Sequence, residues 1–303
     1  MTRPSPIVPD SEHGQPLARL PARARDLIQL ARFDRPIGAW LLYWPGAWAV
    51  ALAGGAVARW ELLLWLALGA VAMRGAGCVY NDMVDRDLDA AVARTRTRPI
   101  ASGRVSRRLA AGWLVALSLV GSVVLLRLDR PAQVVALASL APVAAYPFMK
   151  RITWWPQAWL GIVFSWGALV GWPAVAGSFA PADGWLYAGA IAWVIGYDTI
   201  YALQDIEDDA LAGIKSSARA LGAHARGGVA GFYVAAVALW GCAVWAVRPE
   251  PLALAALLPA AAHLGWQVAA LRTGDAADAL AKFRSNRFAG LLMFLACAVV
   301  GTA

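Results

Sequence analysis

Long apolar stretches separated by short polar connections run through almost the whole chain. Each stretch is about twenty residues long, which is the length an α-helix needs to cross the hydrocarbon core of a bilayer. The pattern predicts nine membrane-spanning helices, at 37–53, 60–82, 109–127, 132–149, 154–176, 185–204, 227–247, 251–271 and 287–303. The alternating ten-residue pattern of a membrane β-barrel is absent. We therefore predict an all-α, polytopic membrane protein.

The first 36 residues differ from the rest because they are polar and rich in proline and arginine. They contain no apolar core of a secretory signal, so we expect no cleaved signal peptide. We expect a polar N-terminal tail over 1–36, with an amphipathic interfacial helix starting near Ala22. Residues 37–303 then form the membrane domain.

Composition agrees with this interpretation, since 60% of the residues are hydrophobic and only 15% are charged. Soluble domains usually have about a quarter of their residues charged. The three cysteines, Cys78, Cys242 and Cys297, lie in apolar stretches without metal-binding or disulfide spacing. We predict neither a zinc site nor a disulfide.

The net charge of +8 is distributed unevenly along the chain. Most of the 27 Lys and Arg residues lie in the N-terminal tail and in the connections after the second, fourth, sixth and eighth helices. These segments share one side of the membrane, and the positive-inside rule makes that side cytoplasmic. The charge is thereby explained by membrane orientation, and we expect no nucleic acid partner.

A ladder of oxygen-bearing side chains follows the second apolar stretch directly. Asn81, Asp85 and Asp89 are spaced four residues apart, so they share one face if the helix continues. Oxygen ligands at the mouth of a membrane helix suit a hard divalent cation. A solvated, charged connection between two helices is the alternative.

The sixth helix ends in a related acidic motif. Asp85 and Asp89 stand in D-x-x-x-D-A, and so do Asp205 and Asp209. Both motifs follow a helix on the same side and lie four helices apart. We predict an internal duplication, with parallel halves at about 37–150 and 154–271 plus a ninth helix. The acidic ends would then face each other across one cavity.

So many carboxylates around one cavity require counter-charge. Mg²⁺ is usually held by one or two carboxylates, waters and substrate phosphates, so the acids predict a phosphate-bearing ligand as well as a metal. Cations suited to a diphosphate follow each motif: Arg94, Arg96 and Arg98 after the first, and Lys215 after the second. Their alternative explanation is the ordinary positive charge of that side.

Two charges lie deeper in the predicted helices. Arg74 precedes Asn81 by two helical turns, and Asp198 precedes Asp205 in the same way. Ionisable residues inside membrane helices usually mark function. A structural ion pair between Arg74 and Asp198 is the alternative. A diphosphate at the mouth of an apolar bundle indicates an amphiphilic substrate, and an allylic prenyl diphosphate fits. The spacing does not identify an acceptor.

The chain resembles the UbiA superfamily of membrane prenyltransferases, and within it the 4-hydroxybenzoate polyprenyltransferase branch. The paired N-D-x-x-D-x-x-x-D and D-x-x-x-D motifs carry the superfamily resemblance. Four stretches carry it more widely: RFDRPIGAWLLYWP (32–45), RGAGCVYNDMVDRDLDAAVARTRTRPIASG (74–103), YPFMKRITWWPQAWLG (146–161) and YDTIYALQDIEDDALAGIKSSARALG (197–222). The Y-P-F-M-K-R and Y-D-T-x-Y-A runs are similar to the 4-hydroxybenzoate branch in particular.

The resemblance implies a bundle of nine helices around a central cavity, and it implies roles for individual residues. The metal ligands would be Asn81, Asp85 and Asp89 for one Mg²⁺ and Asp205 and Asp209 for a second, with Asp208 an alternate ligand. The substrate contacts would be Arg98 and Lys215 to diphosphate, Arg151 or else Arg74 to the acceptor carboxylate, and Asp198 to the phenol.

The activity implied is Mg²⁺-dependent transfer of a polyprenyl chain from polyprenyl diphosphate to the ring carbon ortho to the hydroxyl of 4-hydroxybenzoate, in ubiquinone biosynthesis. Alternatives are a related prenyltransferase with another aromatic acceptor and, in a different class, a divalent-cation or lipid transporter. We expect a multi-pass protein of a bacterial inner (cytoplasmic) membrane, with its N-terminus and active site on the cytoplasmic side. The sequence predicts neither the prenyl chain length nor the oligomeric state.

Overall fold

The fold is built from helices and short connections. The computed structural model describes residues 11–12, 14–92, 95–211 and 213–302, without the side chains of 14–15 and 207–209, and within these ranges all regular structure is helical. The first six helices are α1 Gly14–Ala18, α2 Ala22–Leu30, α3 Ile37–Leu52, α4 Gly55–Ala58, α5 Trp60–Val84 and α6 Arg86–Ala91. The next six are α7 Arg107–Leu125, α8 Arg130–Ala138, α9 Leu140–Ile152, α10 Pro156–Ser165, α11 Gly167–Ala176 and α12 Pro181–Ala202. The last six are α13 Ile206–Leu211, α14 Ser217–Leu221, α15 Ala225–Val247, α16 Pro251–Ala255, α17 Leu258–Ala270 and α18 Ala276–Thr302, with 3-10 turns at Leu203–Asp205 and Gly222–His224.

Eight helical segments of the described chain are long and apolar enough to cross a membrane. They are Trp60–Val84, Arg107–Leu125, Arg130–Ile152, Pro156–Ala176, Pro181–Asp205, Ser217–Val247, Pro251–Ala270 and Ala276–Thr302. The apolar helix Ile37–Leu52 is shorter and occupies the position of the first predicted span. The all-α, multi-pass membrane fold predicted from the apolar pattern is confirmed.

The last helix begins earlier than the apolar pattern predicted. The expected span was 287–303, whereas α18 starts at Ala276 and includes a polar run before Arg287. Within that run Lys282 Nζ lies 2.7 Å from Asp278 Oδ1, one helical turn away. This ion pair allows charged residues to continue the helix, which hydrophobicity alone does not reveal.

The chain divides into two compact units. The first unit consists of Met1–Ala39 and Ala67–Leu125, and the second of Trp40–Leu66 and Leu126–Ala303. The core of the first unit joins α2, α5, α7 and the connection between α6 and α7. It contains Leu30, Ala31, Ala76, Val79, Ile100, Val105, Ala110 and Leu117, with Phe33 and Trp113 packed against them. This core holds the connection 95–105 in place, which matters for the acidic ladder.

The second unit is organised around α12, which packs against α10, α11, α15 and α18. Large aromatic side chains fill its interior. The indole of Trp193 lies 5.0 Å from that of Trp48 and 6.4 Å from that of Trp240, measured between ring centroids. All three indoles are fully buried. Because α12 ends at the second acidic motif, the packing around α12 positions that motif.

Candidate active site

The first acidic ladder forms across a break between two helices. Helix α5 ends at Val84 and α6 begins at Arg86, so Asp85 lies at the junction. Hydrogen bonds nevertheless continue in the helical pattern, from Asp85 N to Asn81 O (2.9 Å) and from Asp89 N to Asp85 O (2.8 Å). The three oxygen-bearing residues therefore share one face, as their spacing predicted. Asp85 is 0% exposed and Asp89 is 4% exposed.

Arginine supplies the counter-charge for the buried carboxylates of the first unit. Arg98 Nη1 lies 2.8 Å from Asp89 Oδ2 and 3.3 Å from Asp82 Oδ1. Arg32 Nη2 lies 2.7 Å from the same Asp82 oxygen. Asp82 is thus held between two guanidinium groups, and Arg98 links Asp82 to the end of the ladder. The sequence singled out Arg98, but not its pairing with Asp82.

Arg32 belongs to this cluster although the sequence suggested no role for it. Its φ angle is 60°, in the left-handed region where non-glycine residues are uncommon. Burial by itself lowers the pKa of the Arg32 guanidinium, but the neighbouring carboxylates, Asp82 foremost, raise that pKa above its ordinary value. The group stays charged, and the ion pair compensates for the unfavourable backbone conformation. In sequence Arg32 is one of several arginines of the N-terminal segment, and nothing in their spacing predicts that this one pairs with Asp82.

The connection after α6 brings Arg98 to the acids. Thr95 Oγ1 donates to the carbonyl oxygen of Asp89 at 2.9 Å, which bonds the connection to the end of the ladder. Ile100 and Val105 then anchor the connection in the hydrophobic core. Farther along, Arg104 Nε lies 2.9 Å from Asp26 Oδ1 and so joins the connection to α2. Arg96 is exposed, and Arg94 lies outside the described residues.

Arg74 lies on α5, two helical turns before Asn81. Its guanidinium is partly buried and donates a hydrogen bond to Cys78 Sγ. It also lies directly against Gly38, where an added Cβ would come within 2.5 Å of Arg74 Nε. A side chain at position 38 would displace the guanidinium, so the glycine makes room for this charge within the first unit.

The second acidic motif starts at the end of α12. Asp205 is 8% exposed and ends the 3-10 turn Leu203–Asp205. Asp198, two helical turns earlier, is partly buried. Thr199 Oγ1 lies 2.7 Å from Ser217 Oγ, and the Ser217 amide donates to Gln157 Oε1 at 2.9 Å. These bonds join α12 to α14 and α10. The side chains of Asp208 and Asp209 lie outside the described residues.

The two cationic candidates of the second unit meet at the end of α9. Lys215 Nζ donates to the carbonyl oxygen of Ile152 at 3.3 Å, so it lies at the end of α9, the helix that carries Arg151 in its last turn. Arg151 is exposed, and its guanidinium carbon lies 6.0 Å from the centre of the Phe148 ring. The guanidinium carbon of Arg219 lies 5.3 Å from the centre of the ring of Trp154, which follows the end of α9 in the sequence. The structure therefore places Lys215, Arg151 and Arg219 around the end of α9.

The donor chemistry fits Mg²⁺ shared with a substrate better than a metal site built from protein alone. Across the described ranges, no group of three or more His, Cys, Asp or Glu side chains is arranged to hold a metal ion. The ladder still offers the oxygens of Asn81, Asp85 and Asp89 on one helical face. Mg²⁺ normally takes one or two carboxylates and completes its shell with water and phosphate oxygens. Such a set of residues fits that arrangement.

Comparisons with known proteins identify the family. Residues 42–298 match the UbiA prenyltransferase family. The chain is 41% identical over 282 residues to the mitochondrial 4-hydroxybenzoate polyprenyltransferase of Caenorhabditis elegans, an alignment covering 92% of this chain and 79% of that protein. The apo structure of a UbiA homolog from Aeropyrum pernix matches with a TM-score of 0.70 at 26% identity, covering 86% of this chain and 97% of that one. A UbiA homolog from Archaeoglobus fulgidus bound to GPP and Mg²⁺ matches with a TM-score of 0.67 at 16% identity, covering 92% and 100% of the two chains.

The relatives also correct the expected location. The expectation of a bacterial inner membrane is contradicted, because the similar curated proteins from animals and a plant are mitochondrial. The distribution of Lys and Arg distinguishes the two sides of a membrane but not one membrane from another. The assignment of the N-terminus and active site to the cytoplasmic side was part of that expected location and is withdrawn with it. The multi-pass topology stands, and by its extended match the chain belongs to the UbiA prenyltransferase family.

Proposed function

We propose that the chain transfers a polyprenyl chain from polyprenyl diphosphate to 4-hydroxybenzoate, at the ring carbon ortho to the hydroxyl, as a step of ubiquinone biosynthesis. The observation that carries the proposal is the 41–44% identity, over most of the chain, with enzymes of that name from animals and a plant. The paired acidic motifs support it, since each ends a membrane helix with carboxylates suited to a metal-bridged diphosphate.

The two acidic motifs supply the metal-binding residues in this proposal. Asn81, Asp85 and Asp89 hold one Mg²⁺, and Asp205 and Asp209 hold a second, with Asp208 as an alternate ligand. Bound Mg²⁺ neutralises the diphosphate and so makes it a better leaving group. The structure of the Archaeoglobus fulgidus homolog bound to GPP and Mg²⁺ supports this pairing of metal and prenyl diphosphate.

Arg98 and Lys215 contact the diphosphate in this proposal. Arg98 Nη1 already bridges Asp82 and Asp89, so it lies within reach of any anion held by the ladder. When Asp89 binds a cation, Arg98 keeps Asp82 as its partner and turns its remaining donors to phosphate oxygens. Lys215, held by a carbonyl rather than a carboxylate, retains donors for the same purpose.

The reaction that these residues support has three bond changes. The allylic carbon–oxygen bond breaks, leaving its electron pair on the diphosphate and a positive charge on the allyl group. The ring carbon ortho to the phenol oxygen then forms the new carbon–carbon bond, and the ring loses its proton. Arg151, or else Arg74, binds the acceptor carboxylate, while Asp198 orients or deprotonates the phenol. Deprotonation makes the ring more nucleophilic at the ortho carbon.

The two halves of the chain are part of the proposal. The repeated D-x-x-x-D-A at Asp85 and Asp205 supports parallel halves at about 37–150 and 154–271, followed by a ninth helix. Residues 1–36 are then an N-terminal tail, and the interfacial helix within it is Ala22–Leu30.

An acceptor screen tests the function. Full-length protein in lipid nanodiscs receives Mg²⁺ and a polyprenyl diphosphate, together with 4-hydroxybenzoate, homogentisate or 1,4-dihydroxy-2-naphthoate in separate reactions. We expect prenylated product with 4-hydroxybenzoate and none when EDTA is added. Product with another acceptor alone would show a different prenyltransferase. Mg²⁺ flux across vesicles without prenyl transfer would show a transporter.

A further inference from the structure

Helix α18 carries a buried polar residue at the end of its polar first part, just before its apolar sequence begins. Asn286 is completely buried there, as is Gln267 on the neighbouring helix α17. Buried polar side chains in membrane helices are costly unless they are paired, and they often have a functional reason. Neither residue belongs to the acidic motifs or to the cations described above, so both need a separate explanation.

Asn286 connects α18 with two other helices. Trp193 Nε1, on α12, donates to Asn286 Oδ1 at 2.9 Å. Asn286 Nδ2 faces Gln267 Oε1 at 3.3 Å, and the Tyr233 hydroxyl of α15 donates to that same oxygen at 2.7 Å. An indole N–H can only donate, so the Trp193 bond fixes which end of the amide faces α12. The contacts link α12, α15, α17 and α18 at one level.

The contact between α18 and α12 continues toward the acidic motif. Phe283, one turn before Asn286, packs against Tyr197 and Tyr201 with ring centroids 5.8 and 4.6 Å apart. Trp193, Tyr197, Tyr201 and Asp205 follow one another at intervals of four residues. The contacts with α18 therefore extend along α12 to the last turn before Asp205.

Helix α12 also packs closely against α15. The ring of Tyr233 lies against Gly196, where an added Cβ would overlap it. The hydroxyl of that tyrosine reaches Gln267, which is bonded to Asn286. Side chains of one hydrogen-bonded network on α15 and α18 thus contact α12. These contacts restrict both the rotation and the translation of α12.

We infer that Asn286 is a positioning residue, which acts through Trp193 to fix the rotation of α12 and hence the place of Asp198 and Asp205. The inference rests on the proposed function, because it assigns those two carboxylates to metal and acceptor. Asn286 itself contacts neither substrate nor metal. Loss of its amide leaves the indole N–H of Trp193 without an acceptor in an apolar interior, so α12 must shift or rotate to relieve it.

Metal binding and kinetics test this inference on the full chain in nanodiscs. Asn286→Leu keeps the branching of the side chain but removes the amide, and Trp193→Phe removes the N–H donor together with the five-membered ring. The matched control is Trp159→Phe, which removes an indole bond to the Pro142 carbonyl (2.8 Å) between α9 and α10. Folding is checked by size exclusion and by the thermal midpoint. Mn²⁺ affinity is measured by EPR in the presence of inorganic pyrophosphate.

We expect Asn286→Leu and Trp193→Phe each to weaken Mn²⁺ binding and raise the Mg²⁺ half-saturation of transfer by about threefold to twentyfold, the range of one interhelical hydrogen bond. The double variant should be no weaker than the weaker single variant, because both substitutions break the same bond between Trp193 and Asn286. Trp159→Phe should stay within about twofold, since its bond lies outside the network.

Unchanged Mn²⁺ affinity in a folded Asn286→Leu protein would overturn the inference. If that variant does not fold, unchanged affinity in Trp193→Phe would overturn it equally, as would an equal loss in Trp159→Phe. In a further outcome, the wild-type protein binds Mn²⁺ and Asn286→Leu weakens this binding, but the wild type transfers no prenyl group. That result would refute the proposed function and leave the positioning role supported.

Discussion

The acidic end of α5 and the polar network around Asn286 of α18 are both buried, but they are stabilised in opposite ways. Around α5, full charges oppose each other, with Asp82 and Asp89 bound by Arg32 and Arg98. Around α18, neutral amide and indole groups join Asn286 to α12 and α17, and the Tyr233 hydroxyl joins the same network through Gln267. An arginine can exchange one anion for another, whereas a neutral network whose groups are already bonded gains nothing from a ligand. The first region is suited to binding and the second to holding position.

The largest effect should come from removing a carboxylate of the ladder. Asp85→Ala should lower prenyl transfer by at least about 100-fold, because the loss of a direct ligand exceeds the 10–100-fold typical of residues that only orient ligands. Product formation with saturating 4-hydroxybenzoate measures the loss. Asp87→Ala is the matched control in the same motif, since that side chain is 89% exposed. Activity retained in Asp85→Ala would remove this ladder from the metal site.

Removing an arginine tests the charged region as a structural element. Arg98→Gln should destabilise the protein by about 3 kcal/mol, because Asp82 and Asp89 lose a buried counter-charge. The thermal midpoint in nanodiscs measures the effect. Lys215→Gln should leave the midpoint unchanged, since Lys215 is bonded to a carbonyl near the surface. Equal midpoints for the two variants would mean that Arg98 does not stabilise the carboxylates.

Overpacking the neutral region should have a moderate effect. Gly196→Ala places a methyl group against the Tyr233 ring and should cost about 2 kcal/mol, as expected when a packed core must move. Gly77→Ala is the control on α5, because nothing lies within 4 Å of its added Cβ. That substitution should be neutral or slightly stabilising in the same thermal assay. A neutral Gly196→Ala would show that α12 and α15 separate easily.

The smallest effect concerns the backbone of Arg32. Both Arg32→Ala and Arg32→Gly lose the pair with Asp82, but only glycine accepts a φ of 60° without steric cost. Arg32→Gly should therefore be more stable than Arg32→Ala by about 1 kcal/mol. Equal thermal midpoints would indicate that position 32 leaves the left-handed region once the ion pair is lost.

The apolar pattern predicted the fold because crossing a bilayer imposes helix length directly on sequence. The four-residue spacing of Asn81, Asp85 and Asp89 predicted their shared face, because hydrogen bonding continues through the helix break. The partners of Arg98 could not be predicted, because they depend on how Ile100 and Val105 fold the connection back into a core. The start of α18 was missed for a similar reason, since Asp278 and Lys282 neutralise each other only after the helix has formed.

The length of α18 has a consequence for the membrane around it. Its 27 residues extend roughly 40 Å, beyond the ~30 Å hydrocarbon core of a typical bilayer. The helix must tilt, or its first turns with Asp278 and Lys282 must enter the headgroup layer. Since Asn286 bonds this helix to α12, a change in tilt is passed to the helix that ends in Asp205. Acyl-chain length of the host lipid is thereby coupled to the geometry of the second acidic motif.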